Sequence, residues 1–194
     1  MSPRGVAIPD LRERLFDAAE RVLARDGAAA LTSRAVTQEA GCAKGVLHTH
    51  FAGLDQFIAE LCLDRFARAA ARAEGLVDRA GTATVADNLA AVAAALLSLD
   101  PAVVELAVTR TAATLRIREA WRAGAPGLGV VQRSVDAYLR EEQRLARVPR
   151  HMDTASVALA LVGTLHHLLM TGWMAAAAPQ DEVERLIRTL VGEA

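Results

Sequence analysis

Apolar residues recur along this chain at three- and four-residue steps, the spacing of helices that bury one face, and the whole reads as all-α. Leu11, Leu15, Ala18 and Val22, with Ala19 and Leu23 beside them, predict a first helix over about Asp10 to Asp26, and Asp10 after Pro9 is a suitable N-cap. The stretch Thr32 to Phe51, TSRAVTQEAGCAKGVLHTHF, divides into a short helix (Ser33 to Ala40), a break at Gly41, and a second short helix over about Lys44 to His50. Ala35, Val36 and Ala40 form the inward face of the former, and Val46, Leu47 and Phe51 part of that of the latter. A fourth helix, about Leu54 to Asp78, buries Phe57, Leu61, Phe66, Ala69, Ala70, Ala73 and Val77. Along it Arg65, Arg68, Arg72 and Arg79 interleave with Asp64, Glu74 and Asp78, the pattern of a solvated face.

Gly81 and Thr82 precede a fifth helix, about Thr84 to Leu99, made almost wholly of Ala, Val and Leu from Leu89 onward. Asp100 and Pro101 provide a cap and a first-turn proline for a sixth, predicted to continue to Arg122. The glycines of GAPGLG (Gly124 to Gly129) match no phosphate-binding loop, since no Lys-Ser or Lys-Thr follows, and read as a helix connection. A seventh helix, about Leu128 to Ala146, places Val131, Val135, Tyr138 and Leu145 inward. From Asp153 to Ala178 runs the most apolar segment, long enough to test as a membrane span. Adjacent His166 and His167 near its centre, and the lack of aromatic and basic belts at its ends, favour a protein core instead, so no membrane partner is expected. The last helix, about Gln180 to Val191, is amphipathic through Val183, Leu186, Ile187, Leu190 and Val191. One short amphipathic helix cannot cover an apolar neighbour on all sides; a second copy of the pair could, which predicts a homodimer through the last two helices.

Two short helices joined by a glycine-containing turn are the sequence form of a helix-turn-helix, whose second member enters the DNA major groove. At AVTQEAGCAKGVLHTHF, with the helix before it and the helix after it, the chain resembles the TetR family of bacterial transcriptional regulators. That resemblance implies a dimeric DNA binder whose C-terminal domain holds a small ligand that loosens the grip on the operator. It divides the chain into a three-helix DNA-binding domain at residues 1–52 and a helical ligand-binding and dimerisation domain at 53–194, about nine helices in all. Three positions depart from the family pattern: Ala43 where a Ser or Thr cap is usual, His48 in place of a Tyr, and Leu54 in place of a Lys.

Charge changes the picture of how DNA is held. The net charge is −1, and residues 1–51 carry seven basic side chains (Arg4, Arg12, Arg14, Arg21, Arg25, Arg34, Lys44) against six acidic ones. A DNA-binding surface must therefore come from placement of charge rather than excess of it. Lys44, the only lysine among 22 Lys and Arg residues, stands where a cation opposes the helix dipole, so a phosphate contact is its plausible benefit. Candidate phosphate contacts are Thr32, Ser33, Arg34, Lys44 and His48; candidate base-edge contacts are Gln38, Gly45, Val46 and Thr49, with His50 either at the DNA or a structural neighbour of Phe51. Residues 1–9 lack the apolar run of a signal peptide and are expected to form a frayed arm in which Arg4 could touch DNA.

In the C-terminal part, Arg110, Thr111, Trp121, Tyr138, His166, His167, Met170 and Trp173 are the exceptions to an apolar background and the candidates for contacting a small, largely apolar effector. His166 and Met170 share one helical face, His167 and Thr171 another, so the two histidines cannot easily chelate one metal. Cys42 and Cys62 form neither a metal pattern nor a disulfide framework, which points to a reducing cytoplasm. No nucleophile has a partnered base, so neither catalysis nor a cofactor is expected, and the alternative to a regulator is a helical adaptor with weakened DNA binding.

Overall fold

The computed structural model describes residues 10–172 and 180–192. Among these there are ten α-helices, two single 3-10 turns and no strand. The helices are α1 (Leu11–Asp26), α2 (Ser33–Glu39), α3 (Val46–His50), α4 (Leu54–Glu74), α5 (Val85–Leu97), α6 (Pro101–Thr109), α7 (Thr111–Arg122), α8 (Leu128–Arg144), α9 (Thr154–Gly172) and α10 (Gln180–Val191).

At the N-terminal end, α1 packs on α2 and lays Leu15, Phe16, Ala18, Ala19, Val22 and Leu23 into the core. Three phenylalanines knit α1, the end of α3 and the start of α4 together. Phe57 meets Phe51 edge-on at 5.0 Å and Phe16 at 5.5 Å between ring centres. Rings in such tilted contacts contribute about 0.5–1.5 kcal/mol beyond the area they bury. Asp10 does not cap α1 as its sequence position suggests. Its backbone is left-handed (φ 59°), whereas a capping side chain reaches the N2 and N3 amides only from an extended backbone.

Helix α4 runs from this cluster into the C-terminal part, where it touches α5, α6, α7 and α8. It ends at Glu74 beside Gly75, not at Asp78; Val77–Arg79 form a separate 3-10 turn. The solvated reading of its arginines fails at Arg65, whose side chain is only 11% exposed. Its guanidinium binds Glu13 (3.0 Å), Asp17 (3.0 Å) and Glu20 (2.8 Å) of α1 and its own neighbour Asp64 (2.7 Å). A sequence pattern of interleaved charges cannot distinguish a wet face from one that meets an acidic stripe on another helix.

The helix predicted over Pro101 to Arg122 is two helices, which makes ten in place of nine. Arg110 is extended (ψ 89°) between α6 and α7, although no glycine or proline marks the place. The Arg110 carbonyl accepts from the Thr114 amide at 2.8 Å, and the Thr114 hydroxyl donates to the Ala107 carbonyl at 2.7 Å, which satisfies a group near the end of α6 that the break would orphan. Asp100 caps α6 as its position predicts, accepting from the Ala102 amide, while Thr84, expected to open the fifth helix, instead caps it and accepts from the Asp87 amide. On α8 the inward residues include Leu139 and Glu142, while Leu145, predicted inward, is about half exposed just beyond the helix. Burial pushes the Cys62 thiol up to about 12. The window Thr154–Thr171 of α9 is long and apolar enough to cross a membrane by length and composition, and 39% of it is buried against the rest of the fold.

Candidate nucleic-acid interface and ligand cavity

Helix α2 begins at Thr32, whose hydroxyl accepts from the Ala35 amide at 3.1 Å and satisfies one of the orphan donors of the first turn. It ends through Gly41, whose φ of 65° suits a residue without a Cβ, and the Cys42 amide donates back to the Thr37 carbonyl at 2.8 Å. The chain then turns once: Val46 donates to the Ala43 carbonyl at 3.0 Å and α3 follows. Regular helix thus starts at Val46, two residues after the predicted start at Lys44, because Ala43 offers no side-chain oxygen to cap an earlier turn. Fully buried Leu47 and nearly buried Phe51 pin α3 to the core.

This leaves Thr32, Arg34, Gln38, Lys44, Gly45, His48, Thr49 and His50 exposed, with Ser33 and Val46 half-buried. Thr32 spends an acceptor on its cap and keeps its hydroxyl proton, while Thr49 donates its own to the Gly45 carbonyl at 3.0 Å and keeps acceptor capacity. Arg12 pairs with Glu60, Arg14 donates to the Ala40 carbonyl, Arg21 pairs with Glu39, and Arg25 pairs with Glu39 and Asp26. Arg34 and Lys44 make no side-chain hydrogen bond or ion pair among the described residues. The nearly neutral unit therefore concentrates its uncommitted positive charge on the two segments that flank the turn. Arg4 lies outside the described residues.

A cavity of about 290 Å³ opens where α4, α7, α8 and α9 meet. Phe66 of α4 and Trp121 of α7 form one wall, in edge-on contact at 5.8 Å between ring centres. The turn containing Gly124, Ala125 and Gly127 forms another, continued by Leu128, Gly129, Val130 and Arg133 of α8. His166 and Met170, one turn apart on α9, complete it. A Cβ at Gly127 would lie 2.8 Å from Trp121 Nε1, so a larger residue there would displace the indole from its place in the wall. GAPGLG is thus part of the cavity and not merely a connection. Its role is invisible in sequence because the aromatic wall comes from other helices.

Of the candidate effector contacts, Trp121, His166 and Met170 meet here. Arg110 instead reaches toward the DNA-binding end, donating to the Leu31 carbonyl at 3.3 Å. Thr111 is exposed at the start of α7, and His167 is exposed on α9 but does not line the cavity. Tyr138 is fully buried; its hydroxyl accepts from Asn88 Nδ2 at 3.0 Å, and burial raises its phenol above the ordinary value. Trp173 lies outside the described residues. Phe66 and Arg133 escaped the sequence reading, the first as a core residue and the second as one more surface arginine.

Residues 15–61 match the model of the bacterial regulatory proteins of the tetR family. Solved structures share the fold over nearly the whole chain. The fatty acid degradation regulator FadR of Bacillus halodurans is 17% identical with a TM-score of 0.69, covering 98% of this chain and 97% of its own. FadR of Bacillus subtilis, solved in complex with stearoyl-CoA, is 18% identical with a TM-score of 0.66, covering 94% and 98%. A Mesorhizobium loti protein assigned to TetR-family transcriptional regulators is 16% identical with a TM-score of 0.71, covering 97% and 96%. No curated protein sequence matches. Residues 15–61 are a tetR-family N-terminal DNA-binding domain, and the chain as a whole has the fold of the TetR-family transcriptional regulators.

Proposed function

We propose that this protein is a ligand-responsive transcriptional repressor that binds a palindromic operator as a homodimer in the cytoplasm and is released by a small, largely apolar effector. The observation that carries the reading is the distribution of cations around the helix-turn-helix: four arginines of the DNA-binding unit are occupied within the protein, while Arg34 and Lys44 are left for phosphates. His48, Ser33 and Thr32 add donors on the same face, and Gln38, Gly45, Val46, Thr49 and His50 are offered to the groove.

Residues 1–52 serve as the DNA-binding domain and 53–194 as the effector-binding and dimerisation domain, with α4 as the strut between them. Phe57 near one end of α4 packs on Phe16 and Phe51, and Phe66, about 13 Å further along the axis, packs on Trp121 at the cavity. The ion pairs of Arg65 make α1 move with α4. An effector that prefers a tilted α4 by a few kcal/mol changes the separation of two recognition helices and empties the operator.

Dimerisation is assigned to α9 and α10. Leu159, Ala160 and Gly163 of α9 are exposed along one side, with Leu186 and Leu190 of α10 only half-covered. A second copy there makes a four-helix interface and sets half-sites roughly 34 Å, or a multiple, apart.

The test is a mobility-shift titration of the protein on its own promoter region and on random duplex, repeated over a range of salt. Preference for the promoter with a steep salt slope is expected; equal binding to both duplexes overturns the reading. Sedimentation at micromolar concentration is expected to show a dimer.

A further inference from the structure

We infer that the effector of this cavity is an anionic amphiphile, held by its acidic head on Arg133 and His166 at the mouth and by its apolar body against Phe66, Trp121 and Met170. The inference rests on the proposed regulator function and sharpens it from a largely apolar effector to one with a single class of head group. Arg133 and His166 are both exposed, both line the cavity, and neither side chain makes a hydrogen bond or ion pair among the described residues. The acidic residue one turn along α8, Asp136, is not available to neutralise Arg133. Its carboxylate accepts from Arg140 at 2.8 Å and from the Thr154 hydroxyl at 2.7 Å. Among the described residues no aspartate or glutamate lines the cavity. An uncompensated guanidinium beside an apolar wall favours a carboxylate or a phosphate ester, which it can grip through two parallel N–H donors, and disfavours an ammonium.

Size narrows the class further. At roughly 30 Å³ for a water-sized group, a cavity of about 290 Å³ takes on the order of ten non-hydrogen atoms. An eight-carbon chain with a small acidic head fits this space.

Calorimetric titration of the full-length protein with octanoate, octyl phosphate, 1-octanol and octylamine separates head group from tail. One or both anions are expected to bind at least tenfold more tightly than the alcohol, with the amine weakest, and the stronger anion identifies the head. Arg133→Ala is expected to remove most of the anion's advantage while leaving the alcohol unchanged, and Arg133→Lys to restore part of it. Arg133 is exposed and has no partner to orphan among the described residues, so both variants are expected to unfold at the parent's temperature. Equal or tighter binding of the alcohol or amine, binding of none of the four, or an Arg133→Ala protein that keeps its anion preference overturns the inference. Promoter binding by the unliganded protein reads the regulator function separately and is unaffected by any of these outcomes.

Discussion

The helix-turn-helix and the cavity are built in opposite ways from the same material. Every candidate DNA contact but Arg4 lies in the continuous stretch 32–50, held outward by a few buried anchors such as Val36, Leu47 and Phe51. The cavity draws Phe66, Trp121, Arg133 and His166 from four helices separated by long intervals of sequence. The first is a local device whose geometry follows from turn chemistry and helix period. The second exists only when α4, α7, α8 and α9 pack. Its specificity can therefore change through any of those helices while the DNA-reading face stays as it is.

The sharpest way to break this contrast is at the aromatic cluster. Phe57→Ala removes a fully buried ring that touches both Phe16 and Phe51, and should cost about 3–5 kcal/mol in denaturant unfolding. A loss under about 1 kcal/mol would mean that the unit's anchoring does not depend on this cluster.

Next in size is Arg65→Ala, which leaves Asp17 and Glu20 without a cation and Glu13 and Asp64 with Arg68 alone. Because those partners are a quarter to a half exposed, water offsets part of the loss, and about 2 kcal/mol is expected in thermal unfolding. Arg65→Lys should recover only part of it, since an ammonium cannot reproduce the planar fork. Full recovery would argue that charge alone ties α1 to α4.

Thr32 and Thr84 offer a matched pair, each capping its helix through one backbone amide. Either alanine variant should lose about 1 kcal/mol. Only Thr32→Ala should also weaken promoter binding, because α2 has seven residues and little else to hold its first turn, whereas α5 has thirteen and a buried face. Comparable loss of promoter binding from Thr84→Ala would show that the two ends of the molecule are less independent than their construction suggests.

The smallest stability effect belongs to Lys44→Ala, expected within about 0.5 kcal/mol of the parent. The same change should lower the slope of log affinity against log salt by about 1. An unchanged slope would remove Lys44 from the phosphate contacts.

The contrast also explains what could be read before the fold was known. The period of the apolar residues located nearly every helix, and Gly41, Asp100 and Pro101 marked helix ends because capping depends on neighbours a few residues away. Where a helix end depended on distant contacts, sequence reading failed. Arg110 breaks a helix with no local signal, and its side chain reaches a carbonyl of the DNA-binding domain. Arg65 looked like its neighbours Arg68 and Arg72 until α1 brought an acidic stripe over it. Tyr138 looked like a polar exception in an apolar region, and it is one, but its hydroxyl faces Asn88 across the core.

For this chain, the linear order of residues determined an all-helical architecture and the helix-turn-helix with its exposed face, because helix period, caps and turn glycines act within a few residues. Tertiary structure alone decided which arginines are spent and which are free, and which side chains surround the cavity. Those properties depend on what distant helices bring alongside, and no local pattern records a contact between residues far apart in the chain.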